Sequence, residues 1–192
     1  MQRFDRRVTA QGVERLAVES VYSLAQVTEA GSDMSHLEVL ELLAALWGHA
    51  GQQAQIPDLV AEYLRRDLLN KILGNSDNHG RNTAIIRDAG SFRLAPIYDL
   101  APMVMDDEGI TRTTKWGAGI ESAGQINWRA ACESLSAVIA PDLAFERLRH
   151  DALQLLALPD VLSASGLPDL TMNHPQIALK HLDKRLQEWG LK

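Results

Sequence analysis

The most constraining feature of the sequence is an apolar, helix-forming run that ends at a glycine and leads directly into a polar loop. Apolar residues recur at helical spacing from about Pro57, and Gly74 ends the run. The next eight residues, 75–82, read Asn-Ser-Asp-Asn-His-Gly-Arg-Asn. Two β-prone runs, 83–86 and 92–97, then flank a turn. The sequence therefore predicts a buried helix, a polar loop and a hairpin in succession.

The rest of the chain predicts a mostly helical body. Near its start we expect extended residues, a short strand and a helix, at 1–6, 15–17 and 18–27. Ser35 and Glu38 have the spacing of a capping box, and the helix they open continues to Gly48. Three more helices are predicted, at 127–139, 141–157 and 175–189. Residues 103–124 lack clear periodicity and favour an irregular, mobile loop.

Length and composition indicate one compact unit. The chain has 192 residues, of which 46% are hydrophobic, enough to bury a core. Its net charge of −6 argues against direct nucleic-acid binding and favours a basic partner over DNA. The single cysteine, Cys132, is expected to be a core thiol in a reducing cytosol. Because the sequence shows neither a signal peptide nor a membrane-spanning run, we expect a soluble, cytoplasmic protein.

The polar loop carries residue types that phosphoryl transfer from ATP requires. Asp77 precedes Asn82 by five residues, and Asp99 follows the predicted hairpin. A carboxylate can orient an acceptor hydroxyl and take its proton, whereas Asn and Asp oxygens suit Mg²⁺. Asp77 fits the first role, and Asn82 with Asp99 fits the second. Because Asp, Asn and Gly also build ordinary turns, spacing alone leaves open a turn with no catalytic role.

Residues 74–82 resemble the Gly-Asn-x-Asp-x-His-x-Lys-Asn signature of the HipA family of toxin kinases. The helix before Gly74 and two flanking motifs follow the family order, the motifs being Arg3-Phe4-Asp5-Arg6 and Ala95-Pro96-Ile97-Tyr98-Asp99-Leu100. The resemblance covers roughly residues 1–155. Arg81 replaces the family's lysine, a planar fork instead of a point charge. Val18 stands where some relatives have a glutamine that contacts the nucleotide.

The resemblance implies a fold and a reaction. The fold is the helical C-terminal lobe of a protein-kinase-like enzyme, mostly α (α+β) with a small hairpin. The reaction is transfer of the ATP γ-phosphate to a protein serine or threonine, with Asp77 as base and Mg²⁺ held by Asn82 and Asp99. Implied nucleotide contacts are Gln2, Arg3, Phe4, His79, Gly80, Arg81, Asn82, Tyr98 and Asp99. His79 is expected to support the loop or nucleotide rather than act as acid or base.

This reading treats residues 1–192 as one kinase lobe with four parts. They are a hinge with the first helix (1–30), a catalytic core (31–102), the irregular loop (103–124) and C-terminal helices (125–192). In this family the ATP-clamping lobe precedes the hinge, and the sequence contains no glycine-rich phosphate loop. We therefore expect negligible kinase activity for this chain alone.

Three explanations for that organisation stay open. The chain could belong to a split kinase whose N-terminal lobe is a separate polypeptide, be a truncated remnant, or be a non-catalytic module such as an antitoxin or decoy. The expected partners are a separate N-terminal kinase lobe or a HipB-like antitoxin, together with an unidentified protein substrate. Neither direct nucleic-acid binding nor membrane binding is expected.

Several aromatic and acidic residues have simpler interpretations. Trp47, Trp128 and Trp189 lie on apolar helix faces and are predicted to be core, whereas Trp116, in the irregular loop, is a candidate partner contact. Phe4 fits a core anchor as well as a hinge. The acidic run at 106–108 is expected to solvate a loop rather than bind a metal.

Overall fold

The structure, a computed structural model, describes residues 3–192 and consists of a helical body with small sheets. Within this range the helices are α1 Val21–Leu24, α2 His36–His49, α3 Ile56–Leu73, α4 Trp128–Ser134, α5 Pro141–Gln154, α6 Leu158–Ala164, α7 Asp169–Met172 and α8 Leu182–Glu188. The strands are β1 Arg6–Thr9, β2 Gly12–Arg15, β3 Ala17–Ser20, β4 Met34–Ser35, β5 Ala84–Asp88, β6 Ser91–Leu94, β7 Thr114–Lys115, β8 Glu121–Ser122 and β9 Gln125–Ile126. The predicted α+β fold class is confirmed.

The two long helices form as their local signals predict. Ser35 caps α2, and the reciprocal bond from its backbone N–H to Glu38 completes the predicted capping box. Helix α3 ends at Gly74, whose φ of 66° is left-handed and suits a glycine cap. Leu64 and Leu68 of α3 are fully buried in the main core, so the helix that leads into the polar loop is fixed along its length.

The predicted hairpin belongs to a three-stranded sheet, because a third strand, β3, pairs with it. β5 pairs with β6 across the predicted turn, and β3 pairs antiparallel with β5, with Val18 opposite Ile86. The predicted helix at 18–27 is therefore wrong for its first residues, and α1 is a single turn that begins at Val21. Pairing with a distant strand overrides the local helical pattern. Residues 6–15 form a separate, exposed hairpin, β1–β2.

The C-terminal half packs as helices against α3. α5 lies against both α3 and α4. The predicted helices at 127–139 and 175–189 are shorter than expected, because α4 ends at Ser134 and a 3₁₀ turn precedes α8. Cys132 is buried, as predicted, and burial raises the pKa of its thiol to about 12. Trp47 and Trp128 are core residues, while Trp189 is only partly buried.

Residues 103–124 are more ordered than predicted. They contain a 3₁₀ turn at Met103–Met105 and two short strands, and β7 pairs in parallel with β4. Trp116, predicted as a partner contact, is only 3% exposed and packs in the core, so that prediction is wrong. In the described part of the chain, none of the helices is both long enough and apolar enough to cross a membrane.

Candidate active site

The polar loop begins as an extension of the α3 cap. The Asn75 backbone N–H donates to the Asn70 carbonyl at 2.8 Å, and its side-chain amide donates to Asn70 Oδ1 at 3.0 Å. Asn75 Oδ1 then accepts from the Asp77 backbone N–H at 3.2 Å. Asn75 is 4% exposed, so these bonds are shielded from water. The backbone that presents Asp77 is therefore fixed to the end of a buried helix.

Asn82 closes the loop onto Asp77. Its side-chain Nδ2 donates to the Asp77 backbone carbonyl at 2.9 Å, and its backbone N–H donates to the His79 carbonyl at 2.9 Å. Within residues 3–192, Asn82 Oδ1 accepts no hydrogen bond. The bond that shapes the loop therefore occupies the amide nitrogen and leaves the amide oxygen available to a cation.

His79 lies beside the predicted base. Its Nε2 is 3.4 Å from Asp77 Oδ1, and its ring centroid is 6.0 Å from that of Tyr22. Gly80 follows in close contact with Tyr22, because a Cβ on Gly80 would come within 2.2 Å of Tyr22 Cδ1. The side of the loop that carries His79 and Gly80 thus packs on α1, and only glycine fits at position 80 without a shift of Tyr22.

The hairpin brings the third motif back to the loop through a main-chain contact. The Tyr98 hydroxyl donates to the backbone carbonyl of Arg81, so residues 98–99 lie next to residues 81–82. Burial, followed by the neighbouring Asp99 carboxylate, raises the pKa of Tyr98. Asp99 is exposed and has φ of 55°, a left-handed conformation that costs energy in a non-glycine residue. Strain of this kind is concentrated at functional sites.

The N-terminal motif reaches this region through one side chain. The Phe4 ring stacks on Tyr98 with centroids 5.6 Å apart, and Phe4 packs with Leu16 on the small cluster formed by β5 and the residues after β6. Arg3 points elsewhere, since its guanidinium binds Asp5 through two hydrogen bonds and lowers the pKa of Asp5 to about 2. Gln2 lies outside the described residues.

Five of the predicted residues therefore make direct contacts, in two groups. Asp77, His79 and Asn82 share the closed loop, and Phe4 stacks on Tyr98. Asp99 follows Tyr98 at the loop's edge. The Arg81 side chain is exposed, and only its carbonyl takes part in the contact with Tyr98.

Comparison with known proteins shows the family and the fold of the chain. Residues 1–157 match the HipA-like C-terminal domain family. The chain belongs to this family. Its structure is also similar to HipA of Shewanella oneidensis MR-1, solved with HipB and its operator DNA, with 18% sequence identity and a TM-score of 0.58. At that identity the likeness shows the fold alone. The match covers 98% of this chain and 46% of that HipA, so the chain spans less than half of its length. No curated protein matches the chain.

Behind the HipA-like loop lies a buried polar network that the sequence analysis missed. At its centre is Asp67 of α3, which is 2% exposed. Its Oδ1 accepts from Arg112 Nη2 at 2.8 Å and its Oδ2 accepts from Trp116 Nε1 at 2.9 Å. Glu121 binds the same segment, with Oε1 2.9 Å from Arg112 Nε and Oε2 accepting from the Trp116 backbone N–H at 3.0 Å. A carboxylate inside the apolar stripe of α3 was the available signal.

His36 completes this network in its neutral form. His36 Nε2 lies 3.1 Å from Arg112 Nη2 and 3.5 Å from Asp67 Oδ2, and His36 Nδ1 lies 2.8 Å from the Tyr63 hydroxyl. Burial lowers the pKa of His36 to about 4, against the opposing effect of Asp67. Burial also acts to raise the pKa of Asp67, but the charge of Arg112 and its hydrogen bond act to lower it, and the net shift is downward.

One residue of the HipA-like loop connects it to this network. Asn78 Nδ2 donates to the Thr114 carbonyl at 2.6 Å, and Asn78 Oδ1 accepts from the backbone N–H groups of Thr113 and Thr114 at 3.1 and 3.3 Å. These bonds fasten the segment that carries Arg112 and Trp116 to the residue next to Asp77. The segment after Asp99 and the predicted catalytic loop therefore form one connected unit.

Two cavities border the loop, and both are lined in part by Asn70 and Asn75. The smaller, of about 40 Å³, lies between the network and the hairpin and is lined by residues that include His36, Asp67, Asn78, Asn82 and Tyr98. The larger, of about 760 Å³, is an open cleft beside Gly74, Asn75 and Ser76. Only the larger cleft has the size of a ligand-binding site.

Proposed function

We propose that this chain is the catalytic lobe of a HipA-type serine/threonine kinase, in which Asp77 orients and deprotonates the acceptor hydroxyl. Asn82 and Asp99 would hold Mg²⁺. The nucleotide would lie along residues 79–82 and 98–99. The family match and the HipA-like fold support the type of protein. The roles of individual residues are the proposal.

The observation that carries the proposal is the hydrogen bond from Asn82 Nδ2 to the Asp77 carbonyl. This bond, at 2.9 Å, fixes the amide so that its nitrogen faces the loop and its oxygen does not. An ordinary turn could use either end of the amide, whereas a metal site needs the oxygen free. The Asp77 carboxylate is partly exposed and accessible to an acceptor hydroxyl.

The residues present fit Mg²⁺. Mg²⁺ takes hard oxygen ligands and usually keeps several waters, so one carboxylate and one amide oxygen are a sufficient protein contribution in a kinase. Asn82 offers a free amide oxygen, and Asp99 offers an exposed carboxylate on a strained backbone. When bound, the metal ion would neutralise charge on the transferring phosphate. The hydrogen bond from the Tyr98 hydroxyl to the Arg81 carbonyl supports this assignment, because it joins the residue before Asp99 to the residue before Asn82.

Full activity would need a second lobe. The 192 residues contain no glycine-rich loop to cover the phosphates, and the first lysine is Lys71, on α3. We propose that an N-terminal lobe, or a partner that replaces it, completes the site around Phe4 and Asp99. A HipB-like antitoxin would be a second partner, by analogy with the complex that HipA of Shewanella oneidensis MR-1 forms.

The metal and nucleotide roles are tested by paramagnetic NMR on the isotope-labelled chain. Mn²⁺–ATP should broaden the amide signals of residues 79–82 and 98–99, a readout that detects weak binding. Asp99→Asn should remove the broadening, since asparagine tolerates a positive φ but lacks the charge. Asp107→Asn, in the exposed acidic run, is the matched control and should leave it intact. Broadening that is absent, or that survives Asp99→Asn, would overturn the proposal.

The need for a second lobe is tested by phosphoryl transfer. The chain alone should incorporate negligible phosphate from ATP into protein. Adding the product of a neighbouring reading frame that carries glycine-rich and lysine motifs should restore transfer, and Asp77→Asn should abolish it again. Transfer by the chain alone would contradict this part of the proposal, and failure with every such partner would favour the non-catalytic module.

A further inference from the structure

The larger cleft is bounded by elements from three parts of the chain. One wall is the start of the polar loop, Gly74 to Ser76, directly before Asp77. A second wall comes from residues 111–125, the segment after Asp99. The third comes from residues 175–189, which lie beyond the part of the chain that matches the family. The cleft therefore lies beside the residues that directly precede the predicted base and extends to the C-terminal helices.

The lining of this cleft is cationic in a protein that is acidic overall. The chain has a net charge of −6, yet four cations and one carboxylate line the cleft, namely Lys71, Arg112, Lys115, Arg185 and Glu121. Arg112 is balanced by its ion pairs with Asp67 and Glu121. The other three cations, Lys71, Lys115 and Arg185, therefore have no ion pair with a carboxylate that lines the cleft.

Lys71 is the least compensated of these cations. Its ammonium donates to the Gly124 carbonyl at 2.5 Å and lies 5.8 Å from the centroid of the Trp189 ring. Across the described residues, no carboxylate comes within 4 Å of it. Burial, and after it the positive charge of Arg112, lowers the pKa of Lys71; Arg185 adds to this effect, while Glu121 and Asp67 oppose it without reversing it. A partly buried ammonium among like charges is stabilised by an anion from outside.

The other two cations are on the rim. Arg185 is exposed on α8 and uses Nη1 to bind Glu188 at 2.9 Å, while Lys115 is 3.6 Å from the exposed Asp33. Such exposed pairs contribute little and exchange readily for another anion. Ser76 Oγ, at the inner end, is buried and has no hydrogen-bond partner in the part of the chain that the structure describes. The cleft thus offers an inner hydroxyl and outer cations.

We propose that this cleft binds an acidic segment of the acceptor protein, with carboxylate side chains beside the acceptor hydroxyl held by Lys71, Lys115 and Arg185. This inference rests on the proposed kinase function, in which the acceptor hydroxyl must reach Asp77. The cleft, with a volume of about 760 Å³, can take several residues of extended chain. The residues proposed to hold the nucleotide, among them Tyr98 and Asn82, do not line this cleft, so the cleft would stay open to the acceptor protein.

The test is direct binding of peptides to the whole chain, without nucleotide. Two fluorescein-labelled peptides share a central serine, one flanked by Asp and Glu and the other by Asn and Gln, and their affinities are compared by anisotropy. The acidic peptide should bind, and the neutral one should bind at least about tenfold more weakly, given several lost ion pairs. High salt should weaken binding of the acidic peptide.

Variants assign the binding to the cleft. Arg185→Gln and Lys71→Met should each weaken binding of the acidic peptide by about three- to fivefold. Lys71→Met keeps the stem over Trp189, and Arg185→Gln is on the exposed surface, so thermal unfolding should confirm that both fold. Lys184→Gln is the matched control, since Lys184 precedes Arg185 on α8, pairs with the same Glu188 and does not line the cleft.

Each outcome has a defined meaning. Equal binding of the two peptides, or equal weakening by Lys184→Gln, would overturn the cleft assignment. Competition by ATP or inorganic phosphate, lost with the same two variants, would also overturn it and indicate a phosphate site. Acidic-peptide binding that persists in Asp99→Asn would support it independently of the nucleotide. The Mn²⁺–ATP experiment and the peptide experiment can therefore fail independently, so failure of the kinase proposal and failure of the cleft proposal can be told apart.

Discussion

Trp116 Nε1 and Asp67 Oδ2 lie 2.9 Å apart, although 49 residues separate them in the sequence. The indole is one of two side-chain donors to this buried carboxylate, the other being the guanidinium of Arg112. The contact joins the segment after Asp99 to α3, the helix that carries the predicted catalytic loop. Its contribution can be measured because another buried tryptophan has the opposite property.

Trp116→Phe should destabilise the fold more than Trp128→Phe. Both indoles are buried, but Trp128 Nε1 has no hydrogen-bond partner among the described residues. The loss of ring volume is the same, and only Trp116→Phe removes a donor from a buried carboxylate. We expect a difference of about 1.5–3 kcal/mol in the free energy of unfolding, measured with urea. Equal losses would show that Asp67 does not depend on the indole.

Acid should destabilise the fold through His36. Its pKa is about 4 in the fold against 6.5 in an unfolded chain, so below pH 6.5 the unfolded state takes up a proton that the native state does not. The contribution of His36 to the free energy of unfolding is therefore fully present above pH 6.5 and is lost as the pH falls toward 4. The loss should be roughly 3 kcal/mol, at about 1.4 kcal/mol for each pH unit.

The measurement is the free energy of unfolding in urea at several pH values across this window. His36→Gln should flatten the dependence on pH, since glutamine does not titrate. His49→Gln, at the exposed end of the same helix α2, should leave the slope unchanged. An unchanged slope in His36→Gln would mean that another group causes the loss.

Gly80→Ala should damage the loop, whereas Gly48→Ala should not. The added Cβ on residue 80 would meet Tyr22 Cδ1 at 2.2 Å, but at residue 48 it would meet no atom within 4 Å. We expect Gly80→Ala to lower the free energy of unfolding by about 1–3 kcal/mol. Gly48→Ala, within α2, should raise it by about 0.5–1 kcal/mol. Similar effects in both variants would show that the loop adapts to the added methyl group.

Asn78→Ala should release residues 113 and 114 from the loop, a change visible by amide hydrogen exchange. Both backbone N–H groups donate to Asn78 Oδ1, so their exchange should become about three- to tenfold faster. Asn78→Asp keeps the acceptor but loses the donor to the Thr114 carbonyl, so it should preserve only part of the protection. The Asn127 amide, which donates to the Ile120 carbonyl, is an internal reference. Equal exchange in both variants would exclude Asn78 as the acceptor that matters.

The elements with local signals were predictable from the sequence. Ser35 with Glu38 and the left-handed Gly74 mark the start of α2 and the end of α3, and neither depends on a distant residue. The loop and the hairpin follow from turn chemistry in the same way. For this reason the polar loop between α3 and the hairpin could be predicted, whereas the bond from Asn82 to the Asp77 carbonyl is seen only in the structure.

What the sequence could not reveal depends on distant partners. β3 is a strand because β5 pairs with it. The indole of Trp116 can be buried because its N–H donates to Asp67, 49 positions earlier in the chain. A charged residue on α3 and an aromatic residue in a glycine-rich loop both look like surface features when each is considered alone. Their burial is a property of the pair.

The hydrogen bond from Tyr98 to Arg81 bears on how this loop can evolve. Tyr98 binds the main-chain carbonyl of residue 81, which every amino acid supplies, and the side chain at that position is exposed. The residue that replaces the family's lysine can therefore change identity without loosening the hairpin. A change of side chain at position 81 would thus alter the charge beside the loop while the contact that holds the hairpin stays in place.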